Sequence, residues 1–254
     1  YISVAELAKM HDEDLPEYKR YLVGVPISGK PSYPEWSGVY IDRGIGPKHE
    51  KRIDVTNPSL WYLVGAYLKA GNLVKNYRAK GTRLPYEGIH VIKPIGWDES
   101  ILRLLPSTLN VNIVRNSSKN TDTLYIGGCE LASFMKDFGT RLKDKTVPGS
   151  VFLLPTDFCR YLIAGFMGKA DVNLDEYRIP KKNCRITISN KRVALSLAHI
   201  LMRGFGVSCH FNTAKVSTTR TINGRTFTMG DFYYVDFSLV NVNKIQSFIE
   251  DGIM

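Results

Sequence analysis

Two rhythms of apolar and polar positions run along this chain. From Pro58 to Ala70 the apolar residues Leu60, Trp61, Tyr62, Leu63, Val64, Ala66, Tyr67 and Leu68 follow almost without a break. That density predicts a helix buried on every side. Asn57 before Pro58 and Ser59 supplies its start signal. Strand-like runs follow at Leu73–Arg78 and Gly88–Lys93, then a helix over Glu99–Leu105. Strands at Asn110–Arg115 and Thr123–Ile126 lead to a helix over Glu130–Phe138, closed by Gly139. The order then returns. Pro155-Thr156-Asp157 opens a helix to about Lys169, and strands near Val172–Arg178 and Cys184–Ser189 come next. A helix over Lys191–Arg203 stops at Gly204, strands Ser208–Val216 and Phe232–Leu239 follow, and a helix over Val242–Glu250 ends the series. The predicted class is α+β, with two αββαββα units that each lay helices on one face of an antiparallel sheet.

The first helices of the two units match in register. Leu63-Val64-Gly65-Ala66-Tyr67-Leu68-Lys69-Ala70-Gly71 is answered by Ile163-Ala164-Gly165-Phe166-Met167-Gly168-Lys169-Ala170-Asp171. Tyr77-Arg78 returns as Tyr177-Arg178 at the same offset. A repeat of this length implies two similar units. Glycine inside a helix costs about 1 kcal/mol relative to alanine, and it is expected where two backbones must approach closely. Gly65 and Gly165 are therefore read as the contact between the paired helices. The repeats divide the chain into residues 58–145 and 146–254. Residues 1–57 form an N-terminal extension with a short helical stretch over Val4–His11 and a high density of turn formers (Gly24, Pro26, Gly29, Pro31, Pro34, Gly38, Gly44, Gly46, Pro47). Its cluster Lys48, Lys51 and Arg52 either touches phosphates or is a solvated surface.

Hydrophobic residues make up 44% of the 254 positions, enough for a sizeable core. The formal charge of +10 favours a polyanionic partner. No apolar run reaches the roughly 18 residues of a membrane span, so nucleic acid is favoured over a membrane. The four cysteines (Cys129, Cys159, Cys184, Cys209) contain no Cys-x-x-Cys pair, and Cys209-His210 is a weak metal pattern. Reduced thiols and the lack of an export signal lead us to expect an intracellular location, in cytoplasm, nucleoid or a phage-infected cell. A start at Tyr1 without methionine suggests an excised segment or a fragment.

With these residues in place, the chain resembles a monomeric, two-repeat LAGLIDADG homing endonuclease of the intein-associated type. The resemblance covers roughly residues 58–254. It rests on the two glycine-centred helices and on Asp144-Lys145-Thr146-Val147-Pro148 leading into Tyr161-Leu162-Ile163-Ala164-Gly165-Phe166. Ile186-Thr187-Ile188-Ser189-Asn190-Lys191, running into a helix with Leu195, Leu197, Ala198 and Leu201, and the strand-then-helix ending from Tyr234 to Ile249 complete it. The resemblance implies motif helices side by side on a pseudo-two-fold axis and sheets forming a saddle over a long double-stranded DNA target site. It also implies that the eighth residue of each motif is an acid holding a divalent cation such as Mg2+ against the scissile phosphates.

Those eighth residues are Ala70 and Ala170 here, and a methyl group ligates no metal. Either natural decay or deliberate substitution removed both acids; two matched alanines in otherwise intact helices favour substitution. Asp171 offers a carboxylate one residue later, while Gly71 at the matching place offers only its backbone. The resemblance further implies basic residues beside the metals, at Lys93 and Lys191, with Lys69 and Lys169 adjoining the alanines. Expected DNA-binding residues are Lys75, Arg78, Lys80 and Arg83 with Tyr77 and Tyr86 interleaved, then Arg178, Lys181, Lys182, Arg185, Lys215, Arg220 and Arg225. Arg220 and Arg225 bracket Asn223-Gly224, a hairpin signal. The expected function is site-specific DNA binding, with metal-dependent double-strand cleavage only in a parent carrying both acids. Three alternatives stay open: a natural cleavage-dead regulator, an RNA-splicing maturase, or an interaction domain whose charge is incidental. Protein splicing is not expected, because the chain lacks the Cys or Ser start and His-Asn end of an intein.

Overall fold

A computed structural model describes residues 21–22, 40–41, 50–51, 53–75, 86–92, 112–117, 122–167, 183–214, 219–222, 225–228 and 230–238. The helices expected over Val4–His11, Glu99–Leu105 and Val242–Glu250, and the strand near Val172–Arg178, lie outside these residues. The chain divides into two compact units. One boundary falls after the second motif helix, which packs on the first motif helix and so belongs to the unit that holds the sheet of the first repeat.

In the unit holding both motif helices, Asn57 caps α1 (Pro58–Ala70) by accepting the Ser59 N–H at 3.0 Å. Proline at the first helical position removes a donor that would have no helical partner. Every residue from Leu60 to Leu68 is buried, as the unbroken apolar run predicts. Trp61 pins the helix entry: its Nε1 donates to the Val55 carbonyl at 2.9 Å, and its ring meets Phe134 edge-on at 6.1 Å. Strand β4 (Gly71–Lys75) leaves α1 without a linker, two residues earlier than the sequence pattern suggested.

Strands β5 (Tyr86–Ile92), β6 (Asn112–Ser117) and β7 (Asp122–Gly127) complete an antiparallel sheet in the order β4-β5-β7-β6. Its register aligns Leu73, Ile89, Ile126 and Ile113 in one row and Gly71, Val91 and Leu124 in another. These rows form the core face, on which α1 and α2 (Cys129–Met135) pack. The intervening row of Asn72, His90, Tyr125 and Val114 points the other way, and Val114 is 58% exposed. Helix α2 tightens into a 3-10 turn over Lys136–Phe138 before Gly139, at φ 91, reverses the chain. Helix α3 (Thr156–Met167) follows two further 3-10 turns. A short pair lies upstream of α1, with β2 (Tyr40–Ile41) antiparallel to β3 (Glu50–Lys51).

The other unit is built around α4 (Lys191–Phe205), which packs on β8 (Asn183–Ile188), β9 (Cys209–Ala214) and β12 (Phe232–Ser238). Strand β1 (Tyr21–Leu22) pairs with β9 and ends a sheet in which β12 lies between β9 and β8. Thus the N-terminal extension lends a strand to the sheet of the second repeat. Phe211, Val235 and Ile186 make the core row. Asn190 caps α4 by accepting the Val193 N–H at 3.1 Å. The helix runs through Gly204 and ends at Gly206, which adopts φ 64 and donates its N–H to the Met202 carbonyl at 2.9 Å. The expected stop at Gly204 is two residues early for a physical reason. Continuing the helix buries Phe205, worth about 1.5–3 kcal/mol, against about 1 kcal/mol for an internal glycine. Between β9 and β12 a separate hairpin pairs β10 (Thr219–Ile222) with β11 (Arg225–Thr228), Ile222 standing opposite Arg225. Asn223-Gly224, where the sequence signals a hairpin turn, fall between these strands and lie outside the described residues.

Candidate functional site

The two motif helices meet through their glycines. A Cβ on Gly65 would lie 2.0 Å from the Leu162 carbonyl oxygen, and one on Gly165 would lie 1.9 Å from that of Tyr62. The contacts are reciprocal: Tyr62 stands three residues before Gly65, as Leu162 stands three before Gly165. Each glycine therefore faces a carbonyl across the crossing, a geometry suited to weak Cα–H···O contacts of about 0.5–1 kcal/mol. Any side chain at either position would force the helices apart. Gly71, just past α1, is similarly constrained, since a Cβ there would lie 2.4 Å from the Tyr67 ring.

At the C-terminal end of this pair the backbone carbonyls carry partial negative charge. Lysine ammonium groups occupy them. Lys145 Nζ donates to the carbonyls of Tyr67 and, at 3.1 Å, Leu68, and lies 4.9 Å from the Tyr67 ring centroid. Lys69 Nζ donates to the Met167 carbonyl at 3.4 Å and lies 5.6 Å from the Phe166 ring centroid. Tyr67 and Met167 hold equivalent positions in the two motifs, so equivalent carbonyls receive ammonium groups from unrelated parts of the chain. Tyr67 is held further by its hydroxyl, which donates to the Gly139 carbonyl at 2.5 Å. Lys145 is only 1% exposed, and burial pushes its pKa down to about 7.

Ala70 is half-buried at the end of α1, beside these groups in sequence. The groups described here are a methyl group and two lysine amino groups that already donate to backbone carbonyls, and they do not fit a divalent cation. Among the described residues no cluster of three or more His, Cys, Asp or Glu side chains could hold one. Ala170, Asp171 and Lys169 lie outside the described residues, as do Lys93, Arg78, Lys80, Arg83, Arg178, Lys181, Lys182 and Lys215. Lys75 belongs to β4, and Arg220 and Arg225 belong to the β10–β11 hairpin. Lys191 is the first residue of α4, half-buried directly after the Asn190 cap. Cys209 and His210 are strand neighbours whose side chains take opposite faces. Burial raises the Cys209 thiol to about 12, which leaves it inert.

Opposite α4, the sheet of the second unit presents Arg185 and Thr187 on β8, Tyr234 and Asp236 on β12, and His210 and Asn212 on β9. Arg185 lies side-on to Asp236, Nε to Oδ1 at 2.6 Å and Nη2 to Oδ2 at 3.1 Å. Asn212 Nδ2 donates to Asp236 Oδ2 at 2.9 Å, and the Arg185 Cζ lies 4.6 Å from the Tyr234 ring centroid. The hydrogen bond to Asp236 raises the Arg185 pKa further, so the guanidinium is permanently charged.

Sequence reasoning listed Arg185 as one basic residue among many and missed both its carboxylate partner and the buried role of Lys145. For Arg185 a signal existed, an alternating polar set on β8 and β12. For Lys145 the signal was weak, since it follows Arg141, Lys143 and Asp144 and nothing local sets it apart from them as the buried one.

Neither a protein-family model nor any curated protein matches the sequence. Solved structures do match in shape. An alanine variant of the homing endonuclease I-DmoI, in complex with its target DNA and manganese, superposes with a TM-score of 0.51 at 15% identity, covering 76% of this chain and 94% of that one. A serine variant of I-DmoI with its target DNA and magnesium gives 0.51 at 17% identity, covering 76% and 96%. The homing endonuclease I-WcaI bound to its DNA recognition sequence gives 0.43 at 14% identity, covering 78% and 82%. The two I-DmoI superpositions show that the chain has the homing endonuclease fold.

Proposed function

We propose that this protein binds duplex DNA at a specific site and, with alanine at positions 70 and 170, leaves it uncut. The observation that carries this reading is the reciprocal glycine crossing of two sequence-matched helices. It keeps the architecture of a two-centre nuclease while the side chains that would hold its cations are absent. The net charge of +10 supplies a favourable field for a polyanion. The open sheet faces carry polar side chains at the two-residue spacing that suits contacts along a groove. Without a carboxylate at positions 70 and 170, no pair of cations is held where it could lower the pKa of water or neutralise a developing phosphate charge, and Asp171 has no counterpart at Gly71. The chain therefore binds and positions DNA but lacks the groups to break it.

The test is selection of bound sequences from a randomised duplex library, followed by restoration of the acids. Wild-type protein is expected to enrich one site and to leave it intact with magnesium present. Ala70→Asp combined with Ala170→Asp is expected to cut both strands at that site. Absence of any enriched duplex would overturn the binding reading. An enriched site that the restored protein leaves intact would overturn the nuclease ancestry.

A further inference from the structure

We propose that Arg185 reads a guanine in the bound duplex, with Asp236, Asn212 and Tyr234 as positioning residues that hold its guanidinium in reading geometry. This inference rests on the duplex-binding reading above and adds a specific base and a specific side chain to it.

A guanidinium has two edges that can make paired hydrogen bonds. Asp236 takes the Nε–Nη2 edge of Arg185 with both carboxylate oxygens, at 2.6 and 3.1 Å. The Nη1–Nη2 edge is left over, and among the described residues Nη1 has no partner. That edge matches the O6 and N7 acceptors that guanine presents in the major groove. No other base offers two acceptors in that arrangement, so the same edge discriminates as well as binds. Arginine also loses more side-chain entropy than most residues when it is ordered. Here the ordering precedes binding. The Tyr234 ring fixes the plane of the guanidinium from one side, and Asn212 holds the Asp236 oxygen that receives Nη2. A group already fixed in its bound conformation forfeits less on association.

The placement fits a ligand better than it fits the fold. The Arg185 side chain is 55% exposed while Asp236 is 16% exposed, so the carboxylate forms the floor and the cation faces outward. All four residues lie on the sheet face turned away from α4. A pair serving only stability would gain little there, because exposed ion pairs contribute about 0–1 kcal/mol and salt weakens them.

The experiment compares base preferences selected from a randomised duplex library by the full-length wild-type chain and by R185A, R185Q and D236N. Thermal unfolding of each variant is measured in parallel. We expect the wild-type site to contain one guanine whose preference falls by roughly 5- to 150-fold in R185A, with the other positions unchanged. R185Q should lose the same guanine preference and shift toward adenine, which glutamine pairs bidentately. D236N keeps the arginine but loosens its support, and should weaken the preference at that position alone. An unaltered profile in R185A overturns the proposal, as does a uniform loss of affinity with every base preference kept. If R185A does not fold, retained guanine preference in folded R185Q overturns it equally. A wild-type chain that selects no sequence at all overturns the duplex-binding reading itself, an outcome distinct from a site that ignores Arg185.

Discussion

Adding one methyl group at position 165 would bring a carbon to 1.9 Å of the Tyr62 carbonyl oxygen. The obstructing atom is backbone and cannot rotate away, so Gly165→Ala should cost at least the ~1–3 kcal/mol typical of overpacking. Gly149→Ala is the control: a Cβ there meets nothing within 4 Å, and the change should stay within about 0.5 kcal/mol. Urea denaturation midpoints of the two variants would check both. Lys145 makes a prediction in pH. Its pKa is about 7 in the folded chain against 10.5 when unfolded. Between those values the unfolded chain carries the extra proton, so stability should rise with pH through the window. The full penalty is present below about pH 7. Lys145→Met should flatten that rise. At about pH 10 it should lie ~1–3 kcal/mol below wild type, because the Leu68 carbonyl loses a donor, and the gap should narrow toward pH 7. Denaturation series across this range would show parallel curves if Lys145 is not the group responsible. None of this was legible from residue 145 alone. Whether a lysine lies buried depends on what the rest of the chain places over it, here the end of α1 and the turn at Gly139.

Among the elements, the helices were the most readable. Asn57 and Asn190 each cap a helix where a polar residue precedes an apolar run, and these local signals need no tertiary help. The helix ends were less so. At Gly204 and Gly206 two glycines compete to stop α4, and the winner is set by whether Phe205 reaches the core, which local sequence does not record. Gly206→Ala should therefore destabilise the chain by about 1 kcal/mol through its left-handed backbone, whereas Gly204→Ala, inside the helix, should be neutral or stabilising. Thermal unfolding of the two variants separates them, and equal effects would place the stop elsewhere. The paired glycines of α1 and α3 were legible only because the motif occurs twice. A single glycine in one apolar helix would have carried no such message. Strand Tyr21–Leu22 shows the opposite limit, since nothing near it in sequence announces β9 as its partner.

Across the whole molecule, charge and fold make a joint prediction. If duplex binding uses the +10 charge through several phosphate contacts, affinity should fall by about a thousandfold or more between ~50 and ~200 mM salt. Fluorescence anisotropy on the selected duplex would measure the slope, and an affinity indifferent to salt would mean that phosphates are not the main anchor. Among the described residues no helix is long and apolar enough to cross a membrane. The division into compact units matters for anyone wishing to make the protein in two pieces. A gene cut at the sequence repeat, near residue 146, would put Gly65 on one polypeptide and Gly165 on the other. A cut between Ala170 and Asn183 would keep both on one polypeptide. Complementation across that cut, about two dozen residues beyond the point where the duplication itself begins again, would still have to rejoin Tyr21–Leu22 with β9, because the N-terminal segment belongs to the other unit.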